Sequence, residues 1–158
     1  MSETVIQVTS LGKRIKGKTI LEDISFEINQ GDCVALIGPN GAGKTVLMSC
    51  ILGDKKPSSG QVLIDGKAGK AKNKIAVLLQ ENTIPNSLKV EELIAFFQSI
   101  SDNPLTNQEV QELLQFKEDQ YQQFADKLSG GQRRLLAFVL CLIDKPKILF
   151  LDEPTAGM

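Results

Sequence analysis

Residues Gly38-Pro39-Asn40-Gly41-Ala42-Gly43-Lys44-Thr45 directly follow the apolar run Cys33–Ile37 and open a helical pattern over Lys44–Leu52. No other feature of the chain restricts its fold as much. A short apolar run without polar alternation reads as a strand buried on both faces, the kind found in parallel sheets covered by helices. Glycines at 38, 41 and 43 let the backbone wrap closely and turn its N–H groups inward at an anion. The helix that starts there brings its unpaired N–H groups and its positive end to the same place. Lys44 suits the β- and γ-phosphates of a polyphosphate, and the Thr45 hydroxyl suits Mg²⁺. A strand, this loop and a helix, in that order, mark a nucleotide-binding loop.

Around this centre the pattern changes character along the chain. Val5–Leu11 alternates apolar and polar residues, as a half-buried strand does, and Ile20–Ile28 continues the pattern after a turn at Gly17-Lys18. Asn29–Asp32 reads as a turn. Gln61–Asp65 reads as a strand closed by Gly66, and Lys67–Lys74 as a solvated basic connector. Ile75–Leu79 is a further apolar strand that ends at Gln80. Helical spacing then appears over Val90–Ile100 and Thr106–Phe116, separated by Asp102-Asn103-Pro104, and again over Gly130–Ile143. Asp144-Lys145-Pro146 stops the third helix. Ile148–Leu151 reads as a buried strand that runs into Asp152-Glu153.

Two adjacent carboxylates at the end of an apolar strand are costly unless they meet a cation. Beside a phosphate loop, Asp152 suits the metal of the phosphate site, and Glu153 suits a water that it would orient and polarise. The sequence contains no histidine, which excludes His-based acid–base catalysis and His metal sites within this chain. Its net charge of −1, with Lys and Arg scattered along the chain, gives no basic field for nucleic acid. Cys33, Cys50 and Cys141 lack metal or disulfide spacing and read as buried thiols. No apolar run approaches a membrane span, and Met1-Ser-Glu-Thr carries no signal pattern. The expected setting is therefore the cytosol or the surface of a membrane.

Leu128-Ser129-Gly130-Gly131-Gln132 opens the third helix. As residues alone, these give a helix start whose free N–H groups form a second anion site, or an ordinary N-cap made by Ser129. Together with Gly38–Thr45 and Asp152-Glu153, the string closely resembles the nucleotide-binding domain of ABC transporters, over the whole chain. The resemblance implies an α/β P-loop NTPase fold with a parallel core sheet, an N-terminal antiparallel β subdomain and an inserted helical subdomain. It implies one ATP-binding domain over residues 1–158, with the β and phosphate-loop core at 1–80 and 144–158 and the helical subdomain at about 81–143.

The resemblance also assigns roles. ATP and Mg²⁺ are the expected ligands. Gly38, Pro39, Asn40, Gly41, Ala42, Gly43, Lys44 and Thr45 would bind the nucleotide, and Ser129 and Gly131 would reach the γ-phosphate held by a second cassette. Glu153, Lys44 and Gln80 would be catalytic, and Thr45, Asp152 and Gln80 would face the metal. A second nucleotide-binding domain, identical or different, and a transmembrane permease are the expected partners, on the cytosolic face of the cell membrane. The permease is expected to dock on the segment from Gln80 to Lys127. The tail Leu135–Met158 resembles exporter-type cassettes, including those of drug and antibiotic export.

Three departures from the family pattern stand out. Ile15 occupies the place where the family stacks an aromatic ring on adenine, so base contact is expected to be apolar. The chain stops at Gly157-Met158, where the family continues with an aspartate, and it lacks the family's later histidine. The expectation is a C-terminally incomplete, poorly active fragment. The competing reading is a soluble ABC-type ATPase acting on ribosomes or nucleic acid. The short stretch between Gln80 and Leu128, broken at Pro104, leaves no room for the long coiled coils of the DNA-repair relatives.

Overall fold

The computed structural model of the protein describes residues 3–68, 75–78 and 84–152. The chain forms two compact units, residues 1–72 and 73–158.

The first unit is built on an antiparallel sheet. Strands β1 (Thr4–Ile15) and β2 (Lys18–Asn29) form a hairpin whose turn is Lys16-Gly17, with φ of 50° and 80°. Positive φ at both central positions gives the turn whose twist matches the two strands, and the glycine adopts it without strain. The sequence places this turn one residue later, at Gly17-Lys18; Lys18 instead opens β2. Strands β3 (Ser59–Ile64) and β4 (Lys67–Ala68) complete the order β2-β1-β3-β4. They are joined by a second turn of the same kind at Asp65-Gly66, with φ of 48° and 72°. The turn puts the first two residues of the expected basic connector into the sheet. Register is set by pairs such as Ile6↔Ile64 and Val8↔Val62.

β1 keeps Val5, Ile6, Val8 and Leu11 buried by shifting register between Val8 and Leu11, where Ser10 has φ of 45°. The bulge turns Leu11 back inward after two exposed residues. Helix α1 (Lys44–Ile51) lies against β2 and buries Leu47, Cys50 and Ile51. Each such burial stabilises the fold by roughly 1.5–3 kcal/mol for a full-sized aliphatic side chain.

The strand expected over Cys33–Ile37 is not formed. No ladder among the described residues includes it, and Val34, Leu36 and Ile37 are 60%, 48% and 91% exposed. The physical reason is pairing: a buried strand needs ladder partners on both edges and cover on both faces. The first unit's strands pair with one another and supply neither. Cys33 is exposed with this run, whereas Cys50 is buried and Cys141 half-buried, so only part of the expected thiol burial holds.

The second unit pairs β5 (Ile75–Leu78) in parallel with β6 (Ile148–Leu151), in register from Ile75↔Ile148 to Leu78↔Leu151. The Asp152 N–H extends the ladder to the Leu78 carbonyl at 2.9 Å. β6 is half-buried rather than buried, because among the described residues it has a neighbour on one edge only. Helices α2 (Val90–Ser99), α3 (Asn107–Leu114), α4 (Glu118–Tyr121) and α5 (Gly130–Leu142) lie between the two strands in sequence. A short 3₁₀ turn at Ala125–Lys127 precedes α5. The core gathers Leu78 of β5, Leu93 and Ile94 of α2, Val110 and Leu114 of α3, and Leu136, Val139 and Leu140 of α5. These fall at three- and four-residue spacing, the inward stripe of an amphipathic helix. The α4 turn and the 3₁₀ turn have no counterpart in the sequence reading, being too short to show a period.

Candidate functional site

The loop after Ile37 is exposed up to Ala42, and α1 begins at Lys44 with Gly43 as its N-cap. Lys44 folds back over its own loop: Nζ donates to the carbonyls of Gly38 and Pro39, the latter at 2.9 Å. A backbone bond from the Ala42 N–H to the Pro39 carbonyl, 3.2 Å, closes the turn beneath it. Gly43 has φ of 96°, and a Cβ there would stand 2.9 Å from Leu21 Cδ2 and 3.2 Å from the Ile20 carbonyl. Only glycine fits that approach of loop to strand. Thr45 follows Lys44 in the first turn of α1 and is exposed.

α1 differs from the other helices at its start. Glu92, Glu109, Gln120 and Gln132 each accept from the N-cap backbone N–H of α2, α3, α4 and α5. α1 has no side-chain cap and no acid in its first turn. Its first N–H groups and positive end are thus left for a ligand, and the donor set of amides, ammonium and hydroxyl suits a polyphosphate.

In the second unit, Ser129 caps α5. Its Oγ accepts from the Gln132 N–H at 3.2 Å, while Gln132 Oε1 accepts from the Ser129 N–H at 3.0 Å. The N-cap reading of Ser129 is therefore realised within the chain. Gly131 is exposed, and a Cβ there would meet nothing within 4 Å. Arg133 donates to Asn86 Oδ1 at 3.0 Å. Asp152 stands half-buried at the end of β6, where Arg134 Nη2 reaches its carbonyl at 3.4 Å. Arg134 ties the helix opened by Ser129–Gln132 to the acidic strand end. The sequence reading missed it, although its spacing four residues after Gly130 places it one helical turn on. Beside it, Cys141 Sγ lies 3.8 Å from the Val77 carbonyl, and burial raises its thiol pKa, partly offset by the Arg134 charge. Gln80 and Glu153 lie outside the described residues. A cleft of about 580 Å³ between α2, α3 and α4 is lined by residues such as Gln98, Gln111 and Tyr121, and holds none of Gly38–Thr45 or Leu128–Gln132.

A family profile described as ABC transporter matches residues 21–156. The methionine import ATP-binding protein of Legionella pneumophila (strain Paris) is 35% identical over 98% of this chain and 49% of its own length. The spermidine/putrescine import ATP-binding protein of Protochlamydia amoebophila is 35% identical over 94% of this chain and 42% of its own. The chain thus spans less than half the length of these two relatives. Among solved structures, cbiO1 of Clostridium perfringens, part of the ABC transporter complex cbiONQ, superposes with a TM-score of 0.83 at 27% identity, covering 99% of this chain and 68% of that one. An ATP-binding cassette of an ABC transporter in its ADP conformation gives 0.80 at 24% identity, covering 98% and 70%. The fold they share with this chain is that of a P-loop NTPase.

Proposed function

Because the chain belongs to the ABC transporter family, we propose that it binds ATP at Gly38–Thr45 and, as part of a transporter, hydrolyses it to move a substrate across a membrane. The observation that carries this reading is the uncapped start of α1 with the Lys44 ammonium laid across the loop. Phosphate oxygens are stronger acceptors than two carbonyls, so Lys44 transfers its N–H groups to the β- and γ-phosphates when ATP enters. Backbone amides of Gly41–Thr45 take the remaining phosphate oxygens.

Thr45, Asp152 and Gln80 carry oxygen donors of the hard class that Mg²⁺ takes. Such an ion keeps several waters and takes phosphate oxygens beside one or two protein ligands. When bound, Mg²⁺ offsets the charge of the β- and γ-phosphates. Glu153 serves to orient and polarise the attacking water, and Gln80 shares in that catalytic role.

Ser129 and Gly131 serve the nucleotide of a second, identical or different, nucleotide-binding domain. Gly131 is exposed, and among the described residues nothing lies within 4 Å of a Cβ placed there, which leaves room for a partner's nucleotide. The segment from Gln80 to Lys127 docks the transmembrane permease, and this chain sits on the cytosolic face of the membrane. No described helix is long and apolar enough to cross one. The working unit is one ATP-binding domain over 1–158, with the core at 1–80 and 144–158 and the helical part at about 81–143. The tail Leu135–Met158 looks like those of exporters, but the relatives above carry import in their names, and import is the direction we favour. Magnesium-dependent ATP binding that Lys44→Ala abolishes is the decisive test; a chain that fails to bind ATP sinks the proposal.

A further inference from the structure

We infer that Arg133 is a positioning residue: through its bond to Asn86 it sets how the start of α5 faces the nucleotide of a second nucleotide-binding domain. The inference rests on the proposal that Ser129 and Gly131 serve that nucleotide, and adds the side chain that holds them in place.

The start of α5 lacks the packing that fixes the rest of the helix. Ser129, Gly130 and Gly131 are exposed, Gln132 and Arg133 are half-buried, and the first buried side chain is Leu136. Two successive glycines bring no side chain to lean on a neighbour. The two bonds of the Ser129–Gln132 box run between those same residues. They fix the shape of the turn and not its direction. Direction needs a bond to another element, and Arg133 makes one: Nη2 donates to Asn86 Oδ1 at 3.0 Å. That is an ordinary hydrogen-bond length, whereas the Arg134 bond to the Asp152 carbonyl is long at 3.4 Å.

Asn86 is a fixed anchor. Ile84 before it and Val90 after it are buried in the helical core. The Leu88 carbonyl accepts from the Ala125 N–H, and the Val90 N–H donates to the Gln123 carbonyl, both at 3.0 Å. These bonds flank an antiparallel bridge between Lys89 and Phe124. The same bridge holds the residues that lead into Ser129. Ala125 is fully buried, and the 3₁₀ turn at Ala125–Lys127 runs from it to the buried Leu128. The bridge thus fixes where the helix begins, and the Arg133–Asn86 bond fixes how its first turn is aimed from that point. A single exposed bond adds little to folding free energy. It matters for alignment, since a misplacement of about 1 Å in a group that meets a reacting ligand can cost about 100-fold in rate.

The test follows association of the full chain with a second copy of itself by sedimentation, with Mg²⁺, with and without an ATP analogue whose β–γ bridge resists hydrolysis. In the wild type the analogue is expected to promote association, because each nucleotide is then held from both sides. Arg133→Met and Asn86→Ala are each expected to weaken the analogue-dependent association by about tenfold, and the double variant no further. Binding of the analogue to the dilute, unpaired chain and the urea midpoint are expected to stay as in the wild type. Asn86→Ala leaves the Arg133 charge in place, so its loss reports the bond and not the attraction of a cation for phosphate. Asn86→Asp keeps an acceptor for the guanidinium and is expected to associate as the wild type does. A wild type that responds to the analogue, beside an Asn86→Ala variant that responds equally, overturns the role of Arg133 and leaves Ser129 and Gly131 facing a partner's nucleotide. A weakened association that follows a lowered urea midpoint overturns it as well, and makes the bond a structural one. A wild type that does not associate with the analogue, yet binds it, overturns the cross-chain reading and this inference with it.

Discussion

The guanidinium of Arg134 reaches the backbone carbonyl of Asp152 at 3.4 Å, so α5, the helix capped by Ser129, holds the end of the acidic strand. The contact joins two motifs that lie apart in sequence. At 3.4 Å it is a long hydrogen bond, and its partner is a neutral carbonyl, so its own contribution is modest. Arg134→Met keeps the aliphatic stem and removes the fork. The variant is expected to lose about 1 kcal/mol in denaturant unfolding and, if the chain works in a transporter as proposed, to lose ATPase activity there more than that stability loss explains. Activity that tracks the folded fraction alone would reduce Arg134 to a packing residue.

Lys44 separates binding from folding. Lys44 is half-exposed, and among the described residues its ammonium bonds to carbonyls of its own loop, so little of the fold is expected to depend on it. Lys44→Ala is expected to weaken ATP binding by more than about tenfold. The unfolding midpoint is expected to move by less than the equivalent of about 0.5 kcal/mol. Calorimetric titration and urea unfolding on the same preparations check the two halves. A variant that unfolds early while binding ATP normally would show that the carbonyl contacts hold the loop shape instead.

The thiols give a prediction that depends on exposure alone. Cys33 is exposed, Cys50 buried and Cys141 half-buried. One of the three thiols is expected to react rapidly with a maleimide or disulfide reagent, and Cys33→Ser is expected to remove that fast phase. If Cys33 reacts as slowly as Cys50, the run Cys33–Ile37 is covered in solution.

Burial raises the Cys141 and Cys50 thiols and the Tyr121 hydroxyl above their ordinary values, 9.0 for the thiols. In each case the folded chain holds its proton more tightly than the unfolded chain does. Their contribution is fully present below pH 9 and is lost as pH rises through the folded-state values. Stability is therefore expected to fall above about pH 9, and Cys141→Ser to flatten that slope without abolishing it, since Cys50 and Tyr121 shift in the same direction. Urea midpoints measured from pH 8 upward check this; an unchanged slope in Cys141→Ser removes Cys141 from the account.

What the sequence made legible follows from which forces are local. The helices at Val90, Asn107 and Gly130 and the parallel strands at Ile75 and Ile148 carry their period in their own residues. The phosphate loop carries its geometry in glycines whose φ no other residue adopts easily, such as Gly43. Cys33–Ile37 was misread because strand formation is not local: an apolar pentapeptide becomes a strand only where a sheet receives it. Arg134 was missed for a related reason: its contact is with a neighbour distant in sequence, the Asp152 carbonyl.

Ser129 and Gly131 allow cap and contact to be told apart, since they sit two residues apart at one helix start and stability and function pull in different directions. Ser129 Oγ caps α5, so Ser129→Ala is expected to cost about 1 kcal/mol of unfolding free energy. Gly131 has open space around its Cβ position and lacks positive φ, so alanine fits without strain. Helix propensity then favours Gly131→Ala by roughly 0.5–1 kcal/mol. If a partner cassette brings its nucleotide against this helix start, the added methyl group stands in the contact. Gly131→Ala is then expected to make the isolated chain more stable and to lower ATP hydrolysis in the paired assembly, without weakening ATP binding to the chain's own loop. Stability, binding and hydrolysis are three separate measurements. Unaltered hydrolysis in the stabilised variant would mean that no partner approaches Gly131.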